Sequence, residues 1–563
     1  MKTLAIKKTC LLVFLAAILI APSLYAQKKT DEQLRLMHVE VEDDPYMPGV
    51  QENTPISPAY NVEAFDYYTR QVNVDANGDN ILNDAGNEPS LAVDPTNPNR
   101  IVVGWRQFDN INSNFRQAGY GYSTNGFDFT FPGVLDPGLF RSDPVLDFDA
   151  QGNFYYNSLQ GTFECDVFKI DDGGVVWGPP VPAFGGDKQW MRIDRSTSSG
   201  AGHNYSYWNR SFTTCTSDGA FTRSTDGSAS FDDCITVDND PFWGTLAVDR
   251  NGDLYITGRV GSGLVVVKST DAKDASGPVT WDSVNNVDLD GQLDGFVPIN
   301  PQGLLGQAWV DVDVSNGPGQ DNVYVAASVA RNSNSDPGDV MFARSTDGGS
   351  TFEPPIKINT DASTSNYQWF GTMSVAPNGR IDMIWLDTRD NPGTFLSRLY
   401  YSFSEDQGDT WSTNEPISEV FDPSIGYPQQ NKMGDYFDMK SDNDFAHVAW
   451  AATFTGGQDV YYTRISPNGT LGINDPVAAN ALQLTNYPNP FSERTTISFY
   501  IPSASKVTLE VFDINGKIVS TLADDTLLGK QRVVWNGAKS QSGLYFIRLQ
   551  SGNRVQTLKA VLK

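Results

Sequence analysis

Two sets of residues have types and spacings suited to chemistry. The first is the run Asp75-Ala76-Asn77-Gly78-Asp79-Asn80-Ile81-Leu82-Asn83-Asp84. Oxygen side chains at positions one, three and five, with Gly78 between the second and third, reproduce the opening of an EF-hand-like loop, where a tight turn gathers hard acceptors around one hard cation. On that reading Asp75, Asn77, Asp79 and Asp84 hold a structural calcium just before the first repeat described below. Position twelve is Gly86 rather than glutamate, so Asp84 or Glu88 has to close the shell, and no helices flank the loop. The competing reading is a solvated Asn/Asp/Gly turn.

The second set stands at the ends of recurrent alternating stretches. Glu88, Asp143, Asp187, Trp190, Trp243, Trp309, Trp369 and Asp435 open one kind of stretch, and Arg106, Arg259, Asp387 and Arg389 close the kind that follows it. Rings that stack on the apolar faces of sugars, with carboxylates and guanidinium groups to meet hydroxyls, suit a glycan. The alternative is that these tryptophans pack element against element. Two carboxylates about 5 to 10 Å apart would serve a glycoside hydrolase, but acidic residues are too numerous here for sequence to pair any two. His38, His203 and His447 form no cluster, and no Gly-x-Ser-x-Gly elbow, P-loop or dinucleotide fingerprint is present. Catalytic residues stay unassigned; if the protein is an enzyme, its residues suit glycoside hydrolysis.

The elements that must position these residues repeat. One unit recurs: an alternating strand, an Asn/Asp/Gly turn, a second strand ending in aromatics, and a third strand running into a small polar loop. Copies begin near Pro89, Pro144, Asp187, Pro241, Gln307, Tyr367 and Gly434. A spacing of roughly 45 to 65 residues is that of a four-stranded propeller blade. The expected fold is all-β, a seven-bladed β-propeller, with six blades the lesser alternative. The seventh unit lacks a fourth strand, and the segment from Phe65 to Val74 ahead of the first repeat is free to supply it and close the ring. The mouth of the central channel is then lined by the starts of first strands and the ends of second strands, where the candidate ligand-binding residues fall.

The loop after the third strand reads Ser345-Thr346-Asp347-Gly348-Gly349-Ser350-Thr351-Phe352 in one copy and Ser404-Glu405-Asp406-Gln407-Gly408-Asp409-Thr410-Trp411 in another. Degenerate copies occur at Ser224, Asp172, Ser123 and Ser269. These motifs resemble the Asp-box, or BNR, repeat of sialidase-like propellers. That resemblance implies the fold and a structural role for each box: Asp or Asn bonds the turn's backbone, Gly takes positive φ, and the aromatic anchors the hairpin. Sialidases carry a Phe/Tyr-Arg-Ile-Pro motif; the nearest stretch here, Phe140-Arg141-Ser142-Asp143-Pro144, departs after Arg141. The resemblance therefore suggests a glycan-binding propeller with possible glycoside hydrolase activity, against a non-catalytic protein-binding or structural propeller and, with its motif incomplete, a true exo-sialidase.

Residues 1–26 combine Lys2, Lys7 and Lys8 with an apolar run from Leu11 to Ile20 and a Leu24-Tyr25-Ala26 end, the layout of a secretory signal peptide. The run is too short for a span that needs about 20 residues, so no membrane span is expected in the mature chain. Cleavage leaves Cys165, Cys215 and Cys234; Cys215 with Cys234 is the expected disulfide in an oxidising compartment, with Cys165 able to compete for either. Loss of the three leader lysines takes the net charge from −28 to −31, a surface that repels nucleic acid and anionic lipid.

From Thr485 onward basic residues exceed acidic ones by five, so a domain boundary falls at 466–484, between a propeller over 61–465, preceded by an extension at 27–60, and a tail at 485–563. The tail reads as a small β-sandwich. Its Asn486-Tyr487-Pro488-Asn489-Pro490-Phe491, Val511-Phe512-Asp513-Ile514-Asn515-Gly516 and Ser542-Gly543-Leu544-Tyr545-Phe546-Ile547-Arg548 resemble the type A sorting domain read by the type IX secretion machinery of Bacteroidota-like bacteria. That resemblance implies export beyond the periplasm, to the medium or the outer cell surface, with removal of the tail on arrival, and it makes the type IX machinery the expected partner besides a glycan or glycoprotein ligand.

Overall fold

The computed structural model of the chain describes residues 30–35, 43–46, 56–64, 66–170, 176–467, 482, 484–514, 516–551 and 554–563. The expected signal peptide, the polar loop at 171–175 and most of the linker lie outside the described residues.

Seven antiparallel sheets follow one another along the chain, each opened by one of the seven expected starts. Their innermost strands are Ala85–Val93, Ser142–Phe148, Trp190–Ile193, Leu246–Val248, Trp309–Val312, Gln368–Val375 and Asp438–Ser441. Blade 3 has three strands, with Ile235 bridging back to Phe221 in place of a fourth. Blade 7 takes its fourth strand from the front of the chain: Tyr67–Gln71 pairs antiparallel with Asp459–Ile465, Tyr67 opposite Ile465 and Gln71 opposite Tyr461. The ring is thus closed by joining its first and last segments, which removes the open edges that would invite aggregation.

The strands are apolar and β-branched because both faces of a blade meet neighbouring blades. Ala85–Val93, Ile101–Phe108, Gln368–Val375 and Ala446–Ala452 are buried at every position. The approach is close enough to require glycine at Gly104, where a Cβ would lie 2.5 Å from the Tyr156 ring of the next blade.

A belt of side-chain hydrogen bonds stitches each innermost strand to the next. Ser90 accepts from Leu146 N, Asp147 from Ile193 N, Thr245 from Val310 N, Asp311 from Val375 N, Ser374 from Ser441 N and Asp438 from Leu91 N, at 2.7 to 3.2 Å. Arg192 completes the circuit from blade 3 to blade 4 by donating to Leu246 O at 3.0 Å. Seven bonds join seven blades. Six of the seven turns after an innermost strand are fixed by an aspartate: Asp94, Asp149, Asp194, Asp249, Asp313 and Asp442 accept from the backbone N–H two residues on.

The loops after the third strands of blades 3 to 6 share one bonding pattern. Ser345, Ser404, Ser224 and Ser269 donate to Asp347, Asp406, Asp226 and Asp271. Each aspartate then accepts the backbone N–H of Thr351, Thr410, Ser230 or Thr280, the last across a longer loop.

Residues 485–563 form a five-stranded sheet that folds on itself in a barrel-like way. Its long strand Arg494–Phe512 pairs with Ile518–Asn536 along its length, with Thr485–Tyr487 at one end and with Gly543–Ser551 at the other. Ile497, Phe499, Leu509, Trp535 and Ile547 fill its interior.

Candidate binding site at the channel mouth

Side chains on an innermost strand point into the channel with a period of two. Blade 3 therefore presents Lys188, Trp190 and Arg192 in descending order and blade 5 Gln307, Trp309 and Asp311, while in blade 7 Tyr436 stands at the level of Trp190 and Asp438 at that of Arg192. The middle layer is aromatic: Trp190 meets Trp309 and Tyr436 edge-on, with ring centroids 5.1 and 5.2 Å apart. The lowest layer is the polar belt, where Asp147, Asp311 and Asp438 surround the Arg192 guanidinium and raise its pKa against burial. The channel is filled below its mouth.

The top layer is charged. Arg106 Nη1 lies 2.5 Å from Glu88 Oε1, and Lys432 Nζ lies 3.0 Å from the same oxygen and 2.8 Å from Asp435 Oδ2. Lys188 Nζ lies 2.7 Å from Asp435 and 3.3 Å from Asp187, and its backbone N–H donates to Asp143. Burial pushes the Glu88 carboxyl up to about 7, with Arg106 and Lys432 opposing. Burial acts the same way on Asp143 and Asp435, but Lys188 and its neighbouring cations win and hold both below the usual carboxylate range. Environments that push neighbouring carboxyls apart in this way separate a proton carrier from permanent anions.

Glu88, Asp143 and Lys188 also share a backbone feature. Each stands six residues before its turn aspartate and has positive φ, and with Trp243 and Phe370 at the same register in blades 4 and 6 the five values run from +45° to +58°. A side chain in the left-handed region costs about 1–2 kcal/mol. Five blades bear that cost at one level of the channel, and in blades 1 and 6 the register shifts there, between Asn87 and Ser90 and between Trp369 and Thr372.

Of the candidate residues, Glu88, Arg106, Asp143, Asp187 and Asp435 come together here. Trp190 and Trp309 form the floor beneath them. Trp243 and Trp369 are buried in the apolar clusters of blades 4–5 and 6–7, the packing role rather than an exposed stacking face. Arg259 donates to Leu293 O, and Asp387 pairs with Arg389 and accepts from Trp385. Lys188 and Lys432 were not singled out by sequence. Lys188 is legible by aligning the repeats on the turn aspartates; Lys432 lies in the irregular connection from blade 6 to blade 7, which has no period to read.

That connection and a hairpin, Gly295–Val297 with Asn300–Leu304, cover the mouth. Gln302 and Asn431 exchange hydrogen bonds, and Met433 N donates to Asn300. Beneath this cover Glu88 Oε2, Gln189 Oε1 and both polar atoms of the Gln307 amide are buried without a hydrogen-bond partner.

At the run 75–84, the Asp75 carboxylate accepts from the backbone N–H groups of Asn77 and Asp79 at 2.8 and 2.9 Å and from the Asn77 side chain, the geometry of a self-bonded turn. Asp84 is instead buried beside Gln107. Cys215 and Cys234 form a disulfide, and Cys165 is free and buried.

Residues 485–563 match the family described as the secretion system C-terminal sorting domain. That match implies the type IX secretion machinery and delivery to the cell surface or outside. No curated protein matches the chain. Among solved structures, a protein of unknown function from Dyadobacter fermentans is 14% identical, with a TM-score of 0.42, over 75% of this chain and 100% of its own. The phage phi92 endosialidase is 8% identical, with a TM-score of 0.39, over 88% of each chain. A lectin from Aleuria aurantia in complex with Fucalpha1-6GlcNAc is 11% identical, with a TM-score of 0.33, over 69% of this chain and 97% of its own.

Proposed function

We propose that the protein is a secreted or surface-displayed propeller of the Asp-box, sialidase-like kind that binds a glycan at its channel mouth. The observation that carries this reading is the unused hydrogen-bonding capacity of the buried top layer: Glu88 Oε2, Gln189 Oε1 and the whole Gln307 amide. Buried polar groups without partners are rare and mark a place where another polar partner belongs. Donors from Lys188, Lys432 and Gln307 alongside carboxylate acceptors suit a ligand rich in hydroxyls, and the aromatic floor gives its apolar face a surface. The shared bonding of the Ser-x-Asp loops supports the Asp-box assignment.

The site also has the parts for glycoside hydrolysis. Because Lys432 touches both Glu88 and Asp435, the two carboxylates lie within about 6 Å of one another, near the separation used by retaining enzymes. Glu88 would carry the proton and Asp435 would remain ionised. The burial of every member of the layer favours a second reading, a non-catalytic propeller whose charges only organise the ring.

Glycan-array binding by the secreted chain separates the two. Binding reduced about tenfold or more by Gln307→Ala or Lys432→Ala, equivalent to about 1.4 kcal/mol or more, supports the site. An array without hits, with capture of a defined protein partner, supports the second reading.

A further inference from the structure

Where the closing strand meets blades 7 and 1, Asp84 and Asp459 are buried, exposing 5% and 1% of their surface, and Asp109 stands nearby. Their partners are uncharged. Asn73 Nδ2 donates to Asp459 Oδ1 at 2.8 Å, Gln107 Nε2 to Asp84 Oδ2 at 3.1 Å and Gln117 Nε2 to Asp109 at 2.7 Å, and the Thr455 hydroxyl donates to Asp459 Oδ2. Among the described residues no lysine, arginine or histidine pairs with any of the three. Asp84 Oδ1 is buried with no hydrogen-bond partner, and the neighbouring Tyr461 hydroxyl faces Thr455 and Asp459. Two buried carboxylates without a counter-charge are costly, so a proton or a cation has to discharge them.

We propose that this buried cluster binds a calcium ion that clips the ring shut. The donor set is all oxygen, which selects a hard cation, and calcium tolerates an irregular shell completed by water. No three His, Cys, Asp or Glu side chains converge as a ready-made shell among the described residues. Asp84 and Asp459 are therefore the charged ligands, and hydroxyl and water oxygens supply the rest. The ion would tie the chain entering blade 1 to the third strand of blade 7, opposite the closing strand. Burial, and for Asp84 also the Asp459 charge, pushes Asp84 well above the usual range and Asp459 up to about 6. Both shifts express the same uncompensated charge.

Thermal unfolding of the secreted chain in calcium chloride and in EDTA, at about pH 7.5, tests the site, because a ligand that binds only the folded state raises the melting temperature by mass action. The expected result is a calcium-dependent rise that disappears in the double variant Asp84→Asn, Asp459→Asn. In EDTA that variant should melt at or above the wild type, since its buried charges are gone. Asp75→Ala with Asp79→Ala should keep the calcium response. A wild type indifferent to calcium would overturn the proposal, and its stabilisation on acidification to about pH 5 would show that a proton discharges the pair instead. A calcium response that survives the Asp84/Asp459 substitutions would also overturn it.

Discussion

Asp347 and Glu88 respond to pH in opposite senses, and both senses follow from their partners. Hydrogen bonds from the side chain and backbone of Thr351 and from Ser345 hold Asp347 at about 2. Its contribution to stability is therefore present above its ordinary pKa of 3.8 and is lost as the pH falls toward 2. Asp347→Ala should cost about 1–2 kcal/mol at neutral pH from the lost hydrogen bonds, and denaturant unfolding of the variant should show a shallower decline below pH 4 than the wild type. Glu88 has its folded pKa raised from 4.5 to about 7, so its contribution is complete below 4.5 and is lost as the pH rises through 7. Glu88→Gln should flatten the fall in unfolding free energy between those values; an unchanged slope would show that Glu88 does not titrate there.

At the scale of the element, the innermost strand does three jobs. Its apolar residues pack the blades, its channel-facing residues build the layers, and in six of the seven blades the aspartate that follows it fixes the turn. The alternation, the turns, the seven starts and the closing strand were legible in the sequence because each is a local pattern with a fixed period. The destinations of the tryptophans were not: an aromatic at a strand start reads the same whether it faces a ligand or the next blade. Trp190 illustrates this, since it sits at the mouth by sequence yet forms the floor, exposing 1% of its surface. Trp190→Ala should cost about 3–5 kcal/mol. Tyr68, on the closing strand, packs between Phe127 and Tyr462 and bonds to Gly126 O. Tyr68→Ala should cost a similar amount, and hydrogen exchange should rise first along 67–71 and 459–465; exchange confined to other blades would deny the closing strand its role.

For the whole molecule, charge and export divide the chain. Residues 27–484 carry a net −36 while residues 485–563 carry +5 and match the secretion sorting family. A chain truncated after the propeller should accumulate inside the cell, and the form found outside should lack residues 1–26 and much of the sequence after about 485, as signal cleavage and the sorting-domain resemblance imply; intact-mass measurement reads both ends. The seven-blade ring brings residues as distant as Glu88 and Lys432 together, and no local pattern in the sequence could have paired them. The central claim, that this assembled layer is a ligand site, is tested most directly by a crystal of the secreted chain soaked in mixed oligosaccharides. Electron density for a sugar bonded to Gln307, Gln189 or Glu88, with the 417–434 connection shifted to admit it, is the predicted result. A sugar bound on an outer blade face, or a top layer unchanged at saturating ligand, would contradict it.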